Sequence, residues 1–183
     1  MKVRATRLPE VLIIEPRVHA DARGALFESW NRRDFAAATG LDLDFPQDNL
    51  SRSVRGALRG IHYQLAPAQG KLVRVLRGRI FDVAVDLRRS SPHFGQWEGI
   101  TLDAASPRAL WIPPGFGHGF LALSAEAEVL YKLSALREPA AERAIAWDDP
   151  QLGIDWPLAQ GEAPVLSPTD RAAPRLAAAA VYP

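Results

Sequence analysis

The stretch Lys71-Leu-Val-Arg-Val-Leu-Arg77-Gly78-Arg79-Ile-Phe-Asp-Val-Ala-Val-Asp-Leu87 decides the fold class. Phe81, Val83, Val85 and Leu87 alternate with Ile80, Asp82, Ala84 and Asp86, the period of two that a β-strand imposes on its side chains. Residues 71–76 read as a second strand, and Arg77-Gly78-Arg79 as the turn between the two. Outward from this pair the same punctuation recurs, with proline and glycine breaking the chain into short apolar runs. Further strands are predicted at 25–30, 46–51, 57–64, 96–102, 108–112, 120–124 and 128–134. Residues 31–38 form the best helix candidate, with Asn31 as N-cap and Gly40 beyond its end. Many short strands at even spacing predict an all-β double-stranded β-helix, a jelly-roll barrel with a few short helices. No repeat or linker divides the chain, so residues 1–183 are expected to form one domain, with 147–157 as loop and 170–183 as a short-helical or frayed tail.

The 183 residues, 48% hydrophobic and 23% charged, suffice for a core without covalent staples. A net charge of +1 supplies no basic field for nucleic acid. No apolar run reaches the ~20 residues of a membrane span, and Arg4, Arg7, Pro9 and Glu10 make the start unlike a secretory signal. The absence of cysteine excludes disulfides and thiolate chemistry, and the expected location is the cytoplasm. Only Lys2, Lys71 and Lys132 are lysines, so the many arginines carry no collective functional weight.

Of four histidines, His19 and His93 fall in loop-like contexts and read as solvated surface. His62 and His118 stand at the edges of predicted strands among glycines. Pro113-Pro-Gly-Phe-Gly-His118 has the spacing P-x-G-x-x-H and resembles the second motif of the cupin superfamily of small jelly-roll barrels. Metal-binding cupins place an H-x-H pair and a glutamate in the first motif. Here that place reads His62-Tyr63-Gln64, followed by Ala68 and Gln69, so a metal-free site without cofactor is expected.

The resemblance then narrows. Arg23-Gly24, Phe27-Glu28-Ser29, Gln47-Asp48-Asn49, Leu58-Arg-Gly-Ile-His-Tyr-Gln64 and Gln69-Gly-Lys-Leu-Val-Arg74 occur in order. Phe81-Asp-Val-Ala-Val-Asp-Leu87, Phe94-Gly-Gln-Trp97, Leu130-Tyr-Lys132 and Trp147-Asp-Asp-Pro150 follow. Over residues 1–176 the chain is similar to the dTDP-4-dehydrorhamnose 3,5-epimerase family, metal-free cupins.

That resemblance implies a dTDP-linked 4-keto-6-deoxyhexose as substrate, whose C4 carbonyl acidifies the hydrogens on C3 and C5. Such chemistry needs a base, an acid on the opposite face, and a cation near the enolate oxygen. His62 matches the family's base, and a neutral imidazole can accept a proton near physiological pH. Asp170 matches the carboxylate that orients it; Asp82 is a second candidate for that role. Tyr131 matches the acid, and Lys71 the cation that stabilises the enolate. His118 is implied as a polar, substrate-contacting wall. Arg23 and Arg59 are implied as diphosphate ligands. Phe27, Glu28, Gln47 and Asn49 match the nucleoside end, where Gln47 and Asn49 share strand parity. Glu142 fits a further ligand contact. A homodimer is implied, with Arg23, Phe27 and Glu28 donated across the interface.

Strict alternation sets Arg59 and His62 on opposite strand faces. Either a bulge at Gly60 re-aims one of them, or Arg59 reaches in from the rim. The chain departs from the family at Leu136 and Arg137, where relatives carry tyrosines, and at Thr169, where relatives carry lysine. Alternative readings are an epimerase acting at C3 or C5 alone, a metal-dependent cupin oxygenase, and a non-catalytic sugar-nucleotide binder.

Overall fold

A computed structural model describes residues 1–159 and 161–183. Among these described residues are thirteen strands and two short α-helices. Two antiparallel sheets carry most of the chain. The larger has the order β1 (Lys2–Ala5), β2 (Leu12–Glu15), β10 (Ala109–Ile112), β7 (Lys71–Arg77), β12 (Glu126–Leu133), β5 (Gln47–Val54). The smaller runs β13 (Glu142–Ala144), β6 (Leu58–Gln64), β11 (Phe116–Ala122), β8 (Arg79–Asp86), β9 (Trp97–Asp103). A separate hairpin pairs β3 (Val18–Asp21) with β4 (Gly24–Phe27). The architecture is the jelly roll that the strand spacing predicts. Among the described residues, no helix is long and apolar enough to cross a membrane.

The inner faces of the two sheets enclose Val73, Val75, Ile80, Ala84, Leu110, Phe116, Phe120 and Val129. A large apolar side chain buried in this way contributes ~1.5–3 kcal/mol. The alternation in β8 does not mark one solvent face and one core face, because both are covered. Ile80, Asp82 and Ala84 are fully buried, and Phe81, Val83, Val85 and Leu87 pack under the C-terminal third of the chain. That covering layer includes Ile145, Leu152, Trp156, Leu176 and Tyr182. The segment after Asp170 is therefore docked: a 3-10 turn at Leu176–Ala178 packs down, and the Tyr182 hydroxyl donates to the Gln64 carbonyl at 2.7 Å.

Helix α1 (Arg32–Thr39) forms where the sequence places it. The Asn31 side chain accepts from the Asp34 amide, and Gly40 takes the left-handed conformation (φ 76°) that closes the C-terminus. It buries Phe35 beside Trp111 on the outer face of the larger sheet, with Trp30 and Phe45 alongside.

Several boundaries depart from the sequence reading. The turn at Gly78 exists, but β7 and β8 do not pair with each other; the chain passes there from one sheet to the other. Alternation identifies a strand and says nothing of its neighbour. Strand β11 starts at Phe116, so His118 lies inside a strand and not at its edge. Strands β1, β2, β3 and β13 have no predicted counterpart. Each has only three or four residues, too few for a period to emerge.

Candidate active site

A cavity of about 740 Å³ opens between the sheets, within the ~300–1,000 Å³ usual for small-molecule pockets. The smaller sheet contributes Arg59 and His62 from β6, His118 from β11 and Glu142 from β13. The larger contributes Asn49 and Ser51 from β5, Lys71 from β7 and Tyr131 from β12. Asp170 enters from α2 (Pro168–Arg171). His62 and Tyr131 thus face one cavity from opposite sheets.

The sequence left the placement of Arg59 open between two routes, and the fold takes the bulge. Along the β6–β11 ladder His62 lies opposite His118, while Arg59 lies opposite Phe120. Four residues on β6 (59–62) therefore lie opposite three on β11 (118–120), and the extra residue brings both side chains to the cavity. Gly60 permits it with φ 122°. A Cβ there would stand 2.5 Å from the Gly119 Cα and 2.6 Å from the His118 carbonyl oxygen.

His62 Nε2 lies 2.5 Å from Asp170 Oδ1, and the Ser167 hydroxyl donates to Asp170 Oδ2 at 2.7 Å. Burial by itself would raise the Asp170 pKa. The hydrogen bonds from His62, Ser167 and the Gly60 amide outweigh it and hold the carboxyl below its ordinary range. Asp170 is 3% exposed, so its charge faces His62 with little screening. Ser167 is also the N-cap of α2, accepting from the Asp170 amide. The S-x-x-D spacing was a readable signal for this partnership.

Asp82 does not orient His62. Its Oδ1 lies 2.6 Å from His118 Nε2, so the second candidate for the His62 partner belongs to a different histidine. Strand order explains the assignment: Asp82 on β8 faces the interior beside β11, whereas β6 lies beyond β11. Burial lowers the His118 pKa, only partly countered by Asp82. Among the described residues, no cluster of three or more His, Cys, Asp or Glu side chains has the geometry to hold a metal.

The Tyr131 hydroxyl pairs with Ser51 Oγ at 2.9 Å, and its ring meets His118 edge to face at 5.8 Å. Burial raises its pKa, so the phenol stays protonated across the neutral range. Ser51 shares the parity of Gln47 and Asn49, and that same argument reaches it. Lys71 donates to the His62 carbonyl at 3.3 Å. Burial pushes its pKa down to about 8, against the pull of Asp82 and Glu142, so it is largely charged at neutral pH.

Around the mouth, Arg59 donates to Ser53 Oγ (3.0 Å) and the Arg52 carbonyl (3.1 Å). Among the described residues no carboxylate pairs with it, which leaves its charge available to an anion. Arg137, in contrast, is held by both oxygens of Glu142 at 2.7 Å, an ion pair that lowers the Glu142 pKa. Gln47 does not line the cavity. Its amide donates to Asn49 Oδ1 at 2.8 Å and its carbonyl accepts from the Arg137 amide at 2.9 Å. Thr169 lines the wall beside Asp170. Arg23, Phe27 and Glu28 lie on or next to the β3–β4 hairpin, away from this cavity.

A cupin-like barrel whose cavity presents paired imidazole–carboxylate groups, a partly buried phenol and an amine defines a sugar-nucleotide isomerase of the epimerase type. The family model for dTDP-4-dehydrorhamnose 3,5-epimerase matches residues 5–178, and the chain belongs to that family. It is 55% identical over 183 residues to the dTDP-4-dehydrorhamnose 3,5-epimerase of Pseudomonas aeruginosa, covering 99% of this chain and 100% of that protein. The dTDP-6-deoxy-D-glucose-3,5-epimerase of Legionella pneumophila, solved in complex with dTDP-4-keto-L-rhamnose, is 48% identical. It superposes with a TM-score of 0.93 over 97% of this chain and 93% of that one. The 3'-monoepimerase ChmJ of Streptomyces bikiniensis, solved with dTDP-quinovose, is 39% identical with a TM-score of 0.87, covering 97% and 88%.

Proposed function

We propose that this chain inverts C3 and C5 of dTDP-4-dehydro-6-deoxy-D-glucose to give dTDP-4-dehydro-L-rhamnose, by proton exchange through an enolate and without a cofactor. The observation that carries this reading is one cavity lined by His62 and Tyr131 from opposite sheets. His62, held by Asp170, removes the proton from carbon. The negative carboxylate stabilises the imidazolium that results, and Ser167 keeps the carboxylate in place. Charge then develops on the C4 oxygen, for which the cavity offers the Lys71 ammonium and, as a polar wall, His118. Tyr131, kept protonated by burial, returns a proton to the opposite face.

Arg59 binds the diphosphate, as its unneutralised guanidinium favours. Asn49, braced by Gln47, and Glu142, paired with Arg137, form the nucleoside side of the mouth. Arg23, Phe27 and Glu28 act in a second subunit of a homodimer. The support is their position. The β3–β4 hairpin is exposed along almost its whole length, Arg23 is 90% exposed, and none of the three meets its own cavity.

The test is incubation with the dTDP-keto sugar in D₂O. Deuterium at both C3 and C5 is the expected result. Label at one carbon alone would move the chain to the single-epimerase reading, the activity named for the Streptomyces bikiniensis relative. No label at either carbon, with tight sugar-nucleotide binding, would leave a binder.

A further inference from the structure

Arg74 lies three residues after Lys71 on β7, and alternation sends the two to opposite faces of the larger sheet. Lys71 lines the cavity, while Val73 and Val75 pack in the inner core. Leu72, of the same parity as Arg74, packs on the outer face with Trp111 and Phe35. Arg74 is 6% exposed, yet no carboxylate pairs with it among the described residues. Its guanidinium donates to the Pro107 carbonyl and, at 3.3 Å, to the Ser29 carbonyl, and sits 5.3 Å from the centre of the Phe27 ring. A buried cation that has only carbonyl oxygens and one aromatic face for partners is costly to maintain. Two of these three partners lie in one place: Phe27 ends β4 and Ser29 follows it, at the base of the β3–β4 hairpin, while Pro107 precedes β10 and anchors the guanidinium to the larger sheet.

Beyond that base the hairpin forms its own two-stranded sheet, and Leu26 at 74% and Arg23 at 90% stand in solvent. A two-stranded ribbon with no third strand is marginal alone, so its direction is set where it is fastened. We infer that Arg74 is a positioning residue that fixes the angle of this hairpin, and so serves the active site of a second copy of the chain and not its own. This rests on the proposed entry of the hairpin into the partner's cavity.

Subunit complementation tests the inference. As homodimers, Arg74→Met should raise KM for the dTDP-keto sugar about tenfold or more, and His62→Asn should be inactive. In a mixed dimer the Arg74→Met subunit keeps its own His62 and receives an intact hairpin from its partner. Co-expression in equal amounts should therefore recover about a quarter of wild-type activity at low substrate, one working pocket in half of the dimers. Arg23→Ala mixed with His62→Asn is the control for the underlying reading. Recovery in both mixtures supports the inference. Recovery with Arg23→Ala alone overturns the role of Arg74 and leaves hairpin donation standing, whereas recovery in neither overturns both. Arg74→Lys, which keeps the charge and loses the fork, should behave as Arg74→Met does. If both Arg74 variants fail to fold by circular dichroism, the residue serves its own subunit's stability and the inference fails. Wild-type KM in either homodimer has the same consequence.

Discussion

Substitution should separate the proposed base from the proposed acid. His62→Asn is expected to abolish solvent exchange at both carbons while sugar-nucleotide affinity, read by calorimetry, stays within a few-fold. Tyr131→Phe should retain some deuterium incorporation yet block net inversion at one carbon or both; full turnover would remove Tyr131 from the donor role. Lys71 carries the pH dependence. Its amine is protonated below a pKa of about 8 and neutral above it, so kcat/KM, which reports the free protein, should fall as pH rises through about 8. Lys71→Met should abolish that alkaline limb at a much lower rate. The same variant should raise the unfolding midpoint. The native state binds this proton less tightly than the unfolded chain, so the charged amine opposes folding at every pH below the unfolded value and most fully below about 8. That His62, Lys71, Tyr131 and Asp170 line one cavity was foreshadowed because all four fall inside motifs of the family resemblance. Their partners were less legible. Whether Asp82 or Asp170 serves His62 depends on which strands are neighbours, and that ordering is not local information.

Among the elements, β6 carries the sharpest constraint. Its bulge brings Arg59 and His62 to one cavity, and Gly60 permits that bulge by conformation and by close approach to β11. Gly60→Ala is therefore expected to cost at least ~2 kcal/mol in denaturant unfolding and to lose activity beyond what the lost stability accounts for. The sequence raised the conflict between these two side chains and offered two resolutions. The choice required the register against β11, set by packing across the sheet. The helix is the opposite case: Asn31 and Gly40 are local signals, and α1 ends where they place its ends.

Over the whole molecule, the C-terminal layer is the part that composition and periodicity described least well. Leu176, Ala179 and Tyr182 cover Tyr63, Val85 and Leu87 on the outer face of the smaller sheet. Deleting residues 174–183 is expected to lower the unfolding midpoint by ~10 °C or more, at ~2–4 °C per kcal/mol for a chain of this size. Scanning calorimetry of the truncated and full chains measures it; an unchanged midpoint would mean the tail is dispensable. Asp170 lies within this layer, just before the Leu176–Tyr182 segment, so the docking that covers the sheet also delivers the carboxylate to His62.

Strand periods, turn residues and helix caps operate within a few residues of each other. They made the all-β class and the helix readable from residues alone, whereas the chemistry-bearing positions were implied by the family resemblance. Strand neighbours, the passage between sheets at Gly78, the β6 bulge and the docked tail depend on contacts between segments tens of residues apart. Their free energy is collected only when both sheets and their covering layer close over one core, and no local pattern encodes which segments meet.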